Sequence, residues 1–148
     1  MRNGFVRVAA VSPKVKVADV DYNVSQIKQE LDACLGKGAS VLVFPELSIT
    51  GYSCEDLFYQ GALLAKARQA LLDLADYTAD KEGLVFVGLP FESDGKLYNV
   101  AAALFKGEVL GFVPKCNIPM HHEFYEGRNF AKGNDTPQDV WFDGVETK

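Results

Sequence analysis

The sequence predicts an α/β fold in which one mixed β-sheet packs against two helices. Apolar segments typical of strands alternate with segments of helical periodicity in the order strand, helix, strand, helix, strand. The order then changes to two adjacent strands joined by a short turn that contains glycine. Alternating strands and helices favour parallel pairing, whereas a hairpin is antiparallel, so both kinds of pairing are expected in one sheet.

Composition and charge indicate a globular chain whose partner is a small molecule or another protein. Hydrophobic residues make up 48% of the 148 residues and charged residues 24%, which suits one domain or part of one. The net charge of -5 argues against nucleic acid or an anionic membrane surface as a partner, because both bind clusters of lysine and arginine.

The cysteines and the hydropathy pattern predict a cytoplasmic protein. Three cysteines at unrelated spacings do not form a disulfide framework, and the amino-terminal residues lack the pattern of a signal peptide. No apolar stretch approaches the roughly 18 residues that a membrane-spanning helix needs.

Three strands are predicted in the first part of the chain, at residues 5–11, 41–44 and 84–88. The second is a continuous apolar run between turn signals, which is typical of a strand buried on both faces, and the third is also predicted to be buried.

Two helices are predicted between these strands. The first has Asp21 or Asn23 as its cap, ends at Gly36 and Gly38, and is identified by apolar residues at helical spacing: Val24, Ile27, Leu31, Cys34 and Leu35. The second is identified in the same way: Leu57, Leu64, Ala67, Leu71 and Leu74.

The second part of the chain predicts a hairpin. Its strands are residues 98–105 and 109–113, with the turn Lys-Gly-Glu at 106–108 and a polar turn at 93–95 before it. From Pro114 onward the sequence is typical of a loop, without a closing element.

The position of Cys54 raises the question of whether its thiol is a catalytic nucleophile. It precedes the second predicted helix, and Ser53 with Asp56 resembles a capping box. The unpaired N–H groups and the macrodipole of a helix N-terminus favour the thiolate, which is the form that attacks carbonyl carbon. The alternative is a structural cysteine, which is the commoner outcome for a lone thiol.

Glu46 and Lys115 each follow a predicted strand. Ligands of α/β sheets bind at the carboxyl ends of strands, where a partly desolvated carboxylate can act as a general base. A lysine there can stabilise a developing oxyanion. The alternatives are a turn carboxylate and a solvated surface lysine, and position alone does not decide between them.

Residues 121–130, HHEFYEGRNF, combine two histidines, two glutamates and three aromatic residues. No further ligand stands at a metal-binding spacing, so no metal site is predicted. The sequence also has no glycine-rich phosphate loop, so we expect no cofactor, neither ATP nor a dinucleotide, within residues 1–148.

Three segments together resemble the nitrilase superfamily of carbon–nitrogen hydrolases: VLVFPELSITGYSCEDLF, GLPFESDGKLYNVAAALFKGEVLGFVPK and NIPMHHEFYEGRNF. The pattern PELxxTGYxxEDLF narrows the resemblance to the amino-terminal glutaminase domains of glutamine-dependent NAD synthetases. It extends over residues 5–142. The fold that it implies is the N-terminal half of an α-β-β-α sandwich, whose other half would supply the second sheet.

The resemblance implies catalytic roles for three residues. Glu46 matches the general base of the family and Lys115 its oxyanion-stabilising lysine. Glu126 matches a second glutamate that holds the lysine and the base in position. A cation between two carboxylates stays protonated and well oriented, which suits a donor aimed at a tetrahedral intermediate.

The resemblance also implies substrate contacts. Tyr52 and Phe124 match positions that line the glutamine pocket, and His121 stands where relatives often carry a tyrosine. The family's nucleophilic cysteine lies well downstream of the lysine, in a motif that ends in CED and an aromatic residue. Cys54 in SCEDLF only imitates that motif, so Cys54 is not expected to be the nucleophile, and Cys116 is expected to pack or to face solvent beside the site.

We therefore expect residues 1–148 to be a partial glutaminase domain that lacks the nucleophile and the synthetase domain and is inactive alone. The implied function of the parent protein is glutamine hydrolysis. The ammonia passes to the synthetase domain of the same polypeptide, which uses ATP and Mg²⁺ to amidate deamido-NAD. A half-domain exposes apolar surface, so a homo-oligomer is also expected. The alternatives are another amidase or carbamoylase of the superfamily, or a non-catalytic interaction module.

Overall fold

The computed structural model describes residues 4–120, 125–134 and 136–147. Its elements in chain order are β1 (Val8–Ala10), α1 (Val20–Gly36), β2 (Val41–Val43), a 3₁₀ segment (Tyr52–Tyr59), α2 (Gly61–Tyr77), β3 (Leu84–Ser93), β4 (Lys96–Phe105), β5 (Glu108–Pro114), α3 (Glu126–Asn129), β6 (Val140–Phe142) and β7 (Val145–Thr147). None of the described helices is both long and apolar enough to cross a membrane.

The main sheet is mixed, as predicted. Its five strands lie in the order β1-β2-β3-β4-β5. Strand β2 pairs in parallel with β1 and β3, because helices α1 and α2 connect these strands, and the two hairpins make β3, β4 and β5 antiparallel. Strands β6 and β7 form a separate hairpin.

The core lies between the main sheet and the two long helices. Helix α2 packs against β3, β4 and β5, and α1 packs against α2. Leu42, Val85 and Leu104 are neighbours in the sheet register and are at most 1% exposed. Their helical counterparts are the predicted apolar positions Ile27, Leu31, Leu71 and Leu74, all of them buried. Burying such side chains is the main stabilising contribution to a fold of this kind.

The other face of the sheet is partly exposed, which corrects one prediction. Residues 41–44 were expected to form a strand buried on both faces, but Val43 is 47% exposed while its neighbour Leu42 is fully buried. Val8 and Val113 are exposed too. The side chains of a strand alternate between the faces of the sheet, and the described helices cover only one of them. We call the surface formed by Val8, Val43 and Val113 the open face.

The helix starts differ from the predicted ones. Asp19, rather than Asp21 or Asn23, caps α1, because its Oδ1 accepts a hydrogen bond from the Tyr22 N–H at 3.2 Å. Asn23 is buried within the helix, where its amide donates to the carbonyl oxygen of Ile49 and bonds both backbone polar groups of Lys16.

The prediction of a helix that begins beside Cys54 is wrong. The chain forms the 3₁₀ segment, which is interrupted at Ser53 and at Glu55, where φ is +48°, and α2 begins only at Gly61. Ser53 lies inside this segment and is not the cap of a helix, so the capping box with Asp56 does not form. Leu57 belongs to the 3₁₀ segment and not to α2.

Strand lengths and the carboxyl-terminal part of the chain also differ from the predictions. Strand β1 is shorter than residues 5–11, whereas β3 continues beyond residue 88 and pairs with residues 96–104 of β4. The region after Pro114 was predicted to be a loop without a closing element, but it contains α3 and the β6–β7 hairpin. Phe142 of this hairpin packs against the rings of Phe91 and Phe112. Elements α3, β6 and β7 have only three or four residues each and were not recognised, whereas the equally short β1 and β2 lie within longer apolar runs.

Gly88 of β3 lets the loop after β2 lie directly on the strand. Its carbonyl oxygen accepts from the Ile49 N–H at 3.1 Å, and its N–H donates to Ser48 Oγ at 3.3 Å. A Cβ atom at position 88 would clash with the backbone of residues 45–47 and would lie 2.8 Å from the carbonyl carbon of Glu46. The path of the loop that carries Glu46 therefore requires glycine here.

We predict that Gly88→Ala lowers the free energy of unfolding by about 1–3 kcal/mol, because the added methyl group must displace backbone atoms. Urea unfolding followed by circular dichroism measures this loss. Gly61→Ala is the matched control, since a Cβ atom there has no neighbour within 4 Å, and it should leave stability unchanged or slightly increased. Equal stability of the two variants would contradict the close packing at Gly88.

Candidate active site

The ammonium group of Lys115 lies between two carboxylates. Its Nζ is 2.8 Å from Glu46 Oε1, and 2.9 and 2.8 Å from the two carboxylate oxygens of Glu126. The side chain of Glu126 is only 6% exposed, that of Lys115 27% and that of Glu46 38%. The structure thus brings together three of the residues singled out in the sequence, with Glu46 as the most accessible of them.

Three separate segments supply these side chains. Glu46 lies in the tight loop after β2, where Ser48 N–H donates to the Pro45 carbonyl oxygen. Lys115 directly follows β5, and Glu126 is the first residue of α3. Both strands end at the site, so the sheet brings residues 46 and 115 together, and the short helix adds residue 126.

Asn99 of β4 is a fourth member of the site, and sequence reasoning did not identify it. Its side-chain amide donates to Glu46 Oε1 at 2.5 Å, and its backbone carbonyl oxygen accepts from the Lys115 backbone N–H at 2.8 Å. The side chain is 3% exposed. A buried asparagine inside the otherwise apolar strand YNVAAALF was a usable signal, because a buried amide requires hydrogen-bond partners.

Tyr52, which was predicted to contact the substrate, is hydrogen-bonded to Glu126. Its hydroxyl group donates to Glu126 Oε1 at 2.7 Å, while 41% of the residue is exposed. Burial of the hydroxyl group, its hydrogen bond to Glu126 and the negative charges of Glu126 and Glu46 raise the pKa of Tyr52. Tyr52 therefore remains a neutral donor to Glu126 at physiological pH.

Opposing effects act on the lysine. Burial lowers the pKa of Lys115, but the hydrogen bonds and charges of Glu126 and Glu46 raise it more, so the pKa lies above the ordinary lysine value. Lys115 is therefore a fixed cation at neutral pH. Such a cation can stabilise negative charge that develops on a substrate oxygen, and the more exposed carboxylate beside it can accept a proton.

The thiol of Cys54 is unsuited to nucleophilic attack. Its side chain is 2% exposed and points to the carbonyl oxygens of Thr50 and Gly51, at 3.2 and 3.4 Å from Sγ. Burial raises the pKa of the Cys54 thiol and so disfavours the thiolate. Cys116 is partly exposed beside Lys115, with its Sγ 3.6 Å from the Pro114 carbonyl oxygen.

Two of the predicted site residues, His121 and Phe124, lie outside the described residues. Among those that are described, no group of three or more histidine, cysteine, aspartate or glutamate side chains is arranged to hold a metal ion. A cavity of about 470 Å³ is lined by β5 and by residues 133–134, 136–138 and 140, among others, but neither Glu46, Lys115 nor Glu126 lines it. The candidate site is therefore the cluster of Glu46, Lys115 and Glu126 and not this cavity.

Comparisons with known proteins identify the family of this chain. A family model described as carbon–nitrogen hydrolase matches residues 7–138. A glutamine-dependent NAD(+) synthetase from Mycobacterium tuberculosis (strain ATCC 25618 / H37Rv) is 41% identical over 133 residues, which are 90% of this chain and 20% of that protein. The chain spans about a fifth to a quarter of the length of the curated relatives it matches.

Solved structures agree with this result. The crystal structure of a glutamine-dependent NAD(+) synthetase from Cytophaga hutchinsonii matches with a TM-score of 0.90 at 26% identity, over 96% of this chain and 24% of that one. A double mutant of an amidase from Nesterenkonia sp. AN1, in complex with acrylamide, has the same fold, with a TM-score of 0.75 at 22% identity over 99% of this chain and 55% of that one. The predicted fold class is thereby confirmed.

We predict that Lys115→Met lowers the free energy of unfolding by about 2 kcal/mol at neutral pH, because it leaves the buried Glu126 carboxylate without its cation, with the Tyr52 hydroxyl group as its remaining side-chain donor among the described residues. The raised pKa means that this stabilisation is complete below the ordinary lysine value of 10.5 and is lost as the pH rises through the higher folded-state value. The difference in stability between wild type and variant should therefore be constant from about pH 7 to 9 and shrink above about pH 10.5.

Urea unfolding across this pH range measures both effects. Lys66→Met is the matched control, because Lys66 forms a salt bridge with Asp21 in which both side chains are at least 49% exposed. It should cost at most about 1 kcal/mol. A Lys115 variant that is no less stable than the Lys66 variant would contradict the strength of the cluster.

We also predict that Cys54 resists alkylation in the folded protein. Iodoacetamide should modify the partly exposed Cys34 and Cys116 first, because the Cys54 thiol is buried and its thiolate is disfavoured. Peptide mapping after limited reaction gives the order of modification. The same reaction in urea is the control, because all three thiols are exposed in the unfolded chain. Preferential labelling of Cys54 in the native state would identify it as an activated thiol.

Proposed function

The chain belongs to the carbon–nitrogen hydrolase family, and from this premise we propose that it forms part of the glutaminase domain of a glutamine-dependent NAD synthetase. In this proposal residues 1–148 hold Glu46 as general base, Lys115 as oxyanion-stabilising residue and Glu126 as the carboxylate that positions the lysine. The single observation that carries the proposal is the Lys115 ammonium group held between Glu46 and Glu126.

The substrate is proposed from the relatives. Eight relatives that match over 83–90% of this chain are named glutamine-dependent NAD(+) synthetases, with identities from 31% to 41%. Glutamine hydrolysis needs a base, an oxyanion stabiliser and a nucleophile, and the cluster supplies the first two. Tyr52, Phe124 and His121 are proposed to contact glutamine, with Tyr52 also bonded to Glu126.

The proposed reaction begins with a cysteine thiol that lies downstream of Lys115 in the family pattern. Glu46 accepts the thiol proton as sulfur attacks the amide carbon, and Lys115 stabilises the oxygen anion of the tetrahedral intermediate. Glu46 then gives the proton to the leaving nitrogen, so ammonia departs and a thioester forms. Water, deprotonated by Glu46, attacks the thioester and releases glutamate and the thiol.

The remaining assignments concern the full-length protein. We propose that ammonia passes to a synthetase domain of the same polypeptide, in which ATP and Mg²⁺ serve the amidation of deamido-NAD. We further propose a cytoplasmic location and a homo-oligomer. The exposed apolar residues of the open face support self-association or burial by another part of the protein.

A second candidate is an amidase of the same superfamily that acts on another amide. The Nesterenkonia amidase has the same fold, so the fold alone does not select glutamine. A carbamoylase or an interaction module would be further alternatives. ATP-dependent formation of NAD from deamido-NAD and glutamine by the full-length protein separates the proposed function from all of these.

We predict that Glu46→Gln in the full-length protein lowers ammonia release from glutamine at least about 100-fold, because the amide cannot accept the proton. NAD formation supplied directly with ammonium should continue, since it bypasses glutamine hydrolysis. Glu82→Gln is the control, because Glu82 is exposed and bonded only to Lys106 among the described residues. A glutaminase rate that survives Glu46→Gln would contradict the assigned base.

A further inference from the structure

Asn99 forms hydrogen bonds with the side chain of the proposed base and with the backbone of Lys115. Its side-chain amide donates to Glu46 Oε1, and its backbone carbonyl oxygen accepts from the Lys115 backbone N–H. We propose that Asn99 is a positioning residue that fixes the orientation of the Glu46 carboxylate, an inference that rests on the proposed function.

The hydrogen bonds to Glu46 distinguish its two oxygens. Both hydrogen bonds that the described residues make to this carboxylate, from Asn99 Nδ2 and Lys115 Nζ, go to Oε1. The terminal torsion of a glutamate has a broad energy profile, so a free carboxylate rotates readily. With Oε1 held by two donors, Oε2 is the oxygen that exchanges protons with the reacting groups.

Lys115 alone does not fix this orientation. An ammonium group is a compact charge with three donors on a flexible stem, and it can approach a carboxylate from many directions. The Asn99 amide is planar, and its side chain is 3% exposed on a central strand of the sheet. Asn99 therefore restricts the torsion that the lysine leaves free, while Lys115 supplies the charge.

The sheet register explains why Asn99 can serve both segments. Asn99 stands opposite Pro90 of β3, which has no N–H group to donate, and its own carbonyl oxygen is turned toward β5. Ala101 pairs with Val113, which belongs to the open face. Asn99 is two residues from Ala101 along the strand, so its side chain lies on the same face. The polar side chain is buried there with the Glu46 carboxylate as its hydrogen-bond acceptor, while the bond from Lys115 uses only the backbone of residue 99.

The test compares Asn99→Ala and Asn99→Leu with wild type in the full-length protein. Leucine keeps much of the volume of asparagine without the donor, whereas alanine removes the side chain. Both retain the backbone carbonyl oxygen that holds Lys115. We expect kcat for glutamine hydrolysis to fall about 10- to 100-fold while KM changes little, because the base is misoriented and the substrate contacts remain.

The pH profile distinguishes positioning from general destabilisation. A hydrogen bond donated to a carboxylate stabilises its charged form, so the acid limb of kcat/KM should move to higher pH in both variants. Asn23→Ala is the matched control, because Asn23 is also a buried asparagine but bonds the backbone of Lys16 and Ile49. It should lower stability without changing kcat per folded molecule or moving the acid limb.

The outcomes separate this inference from the proposed function. Wild-type kcat in both Asn99 variants, or a loss with an unmoved acid limb, overturns the positioning role alone. A full-length wild type that hydrolyses another amide but not glutamine contradicts the proposed substrate, and the Asn99 variants are then compared on that amide. A wild type that hydrolyses no amide overturns both.

Discussion

The ion cluster around Lys115 is the constraint on which the rest of the site depends. Glu126 is buried, and a buried carboxylate is costly unless a cation and hydrogen bonds compensate for its lost hydration. Lys115 and Tyr52 provide this compensation, and Glu46 shares the same ammonium group. Because Glu46 and Glu126 are 80 positions apart in the chain, the cluster forms only when the intervening sheet is complete.

The sheet meets this requirement through its register. The antiparallel pairing of β3 with β4 and of β4 with β5 places Asn99 beside both the end of β5 and the loop after β2. A slip of one residue would turn the Asn99 side chain to the helix-covered face, away from Glu46. Gly88 adds the second condition, since only a residue without Cβ lets the Glu46 loop lie against β3.

The sequence predicted the features that local hydrophobic patterns determine, and it did not predict those that depend on contacts between distant segments. The strands that precede Glu46 and Lys115 have clear apolar runs, so the mixed sheet followed from local signals, whereas the roles expected of Glu46, Lys115 and Glu126 came from the family resemblance. The exposure of Val43 did not follow, because it depends on which face the helices cover. Asn99 was missed because its importance is visible only in its partners, and the 3₁₀ segment because Glu55 adopts a backbone conformation that no periodicity indicates.

Cys54 illustrates how the surroundings of a group, and not its local motif, decide its chemistry. A thiol at the start of a regular helix would face unpaired N–H groups that stabilise a thiolate. In the observed 3₁₀ segment the Cys54 thiol is instead buried and donates to the carbonyl oxygens of Thr50 and Gly51, and burial raises its pKa. Lys115 shows the opposite behaviour, because the hydrogen bonds and charges of Glu126 and Glu46 raise its pKa and so favour its charged form. The cluster is therefore preorganised before any nucleophile is present, and a thiol brought to Glu46 would meet the proposed base and the proposed oxyanion stabiliser already in place.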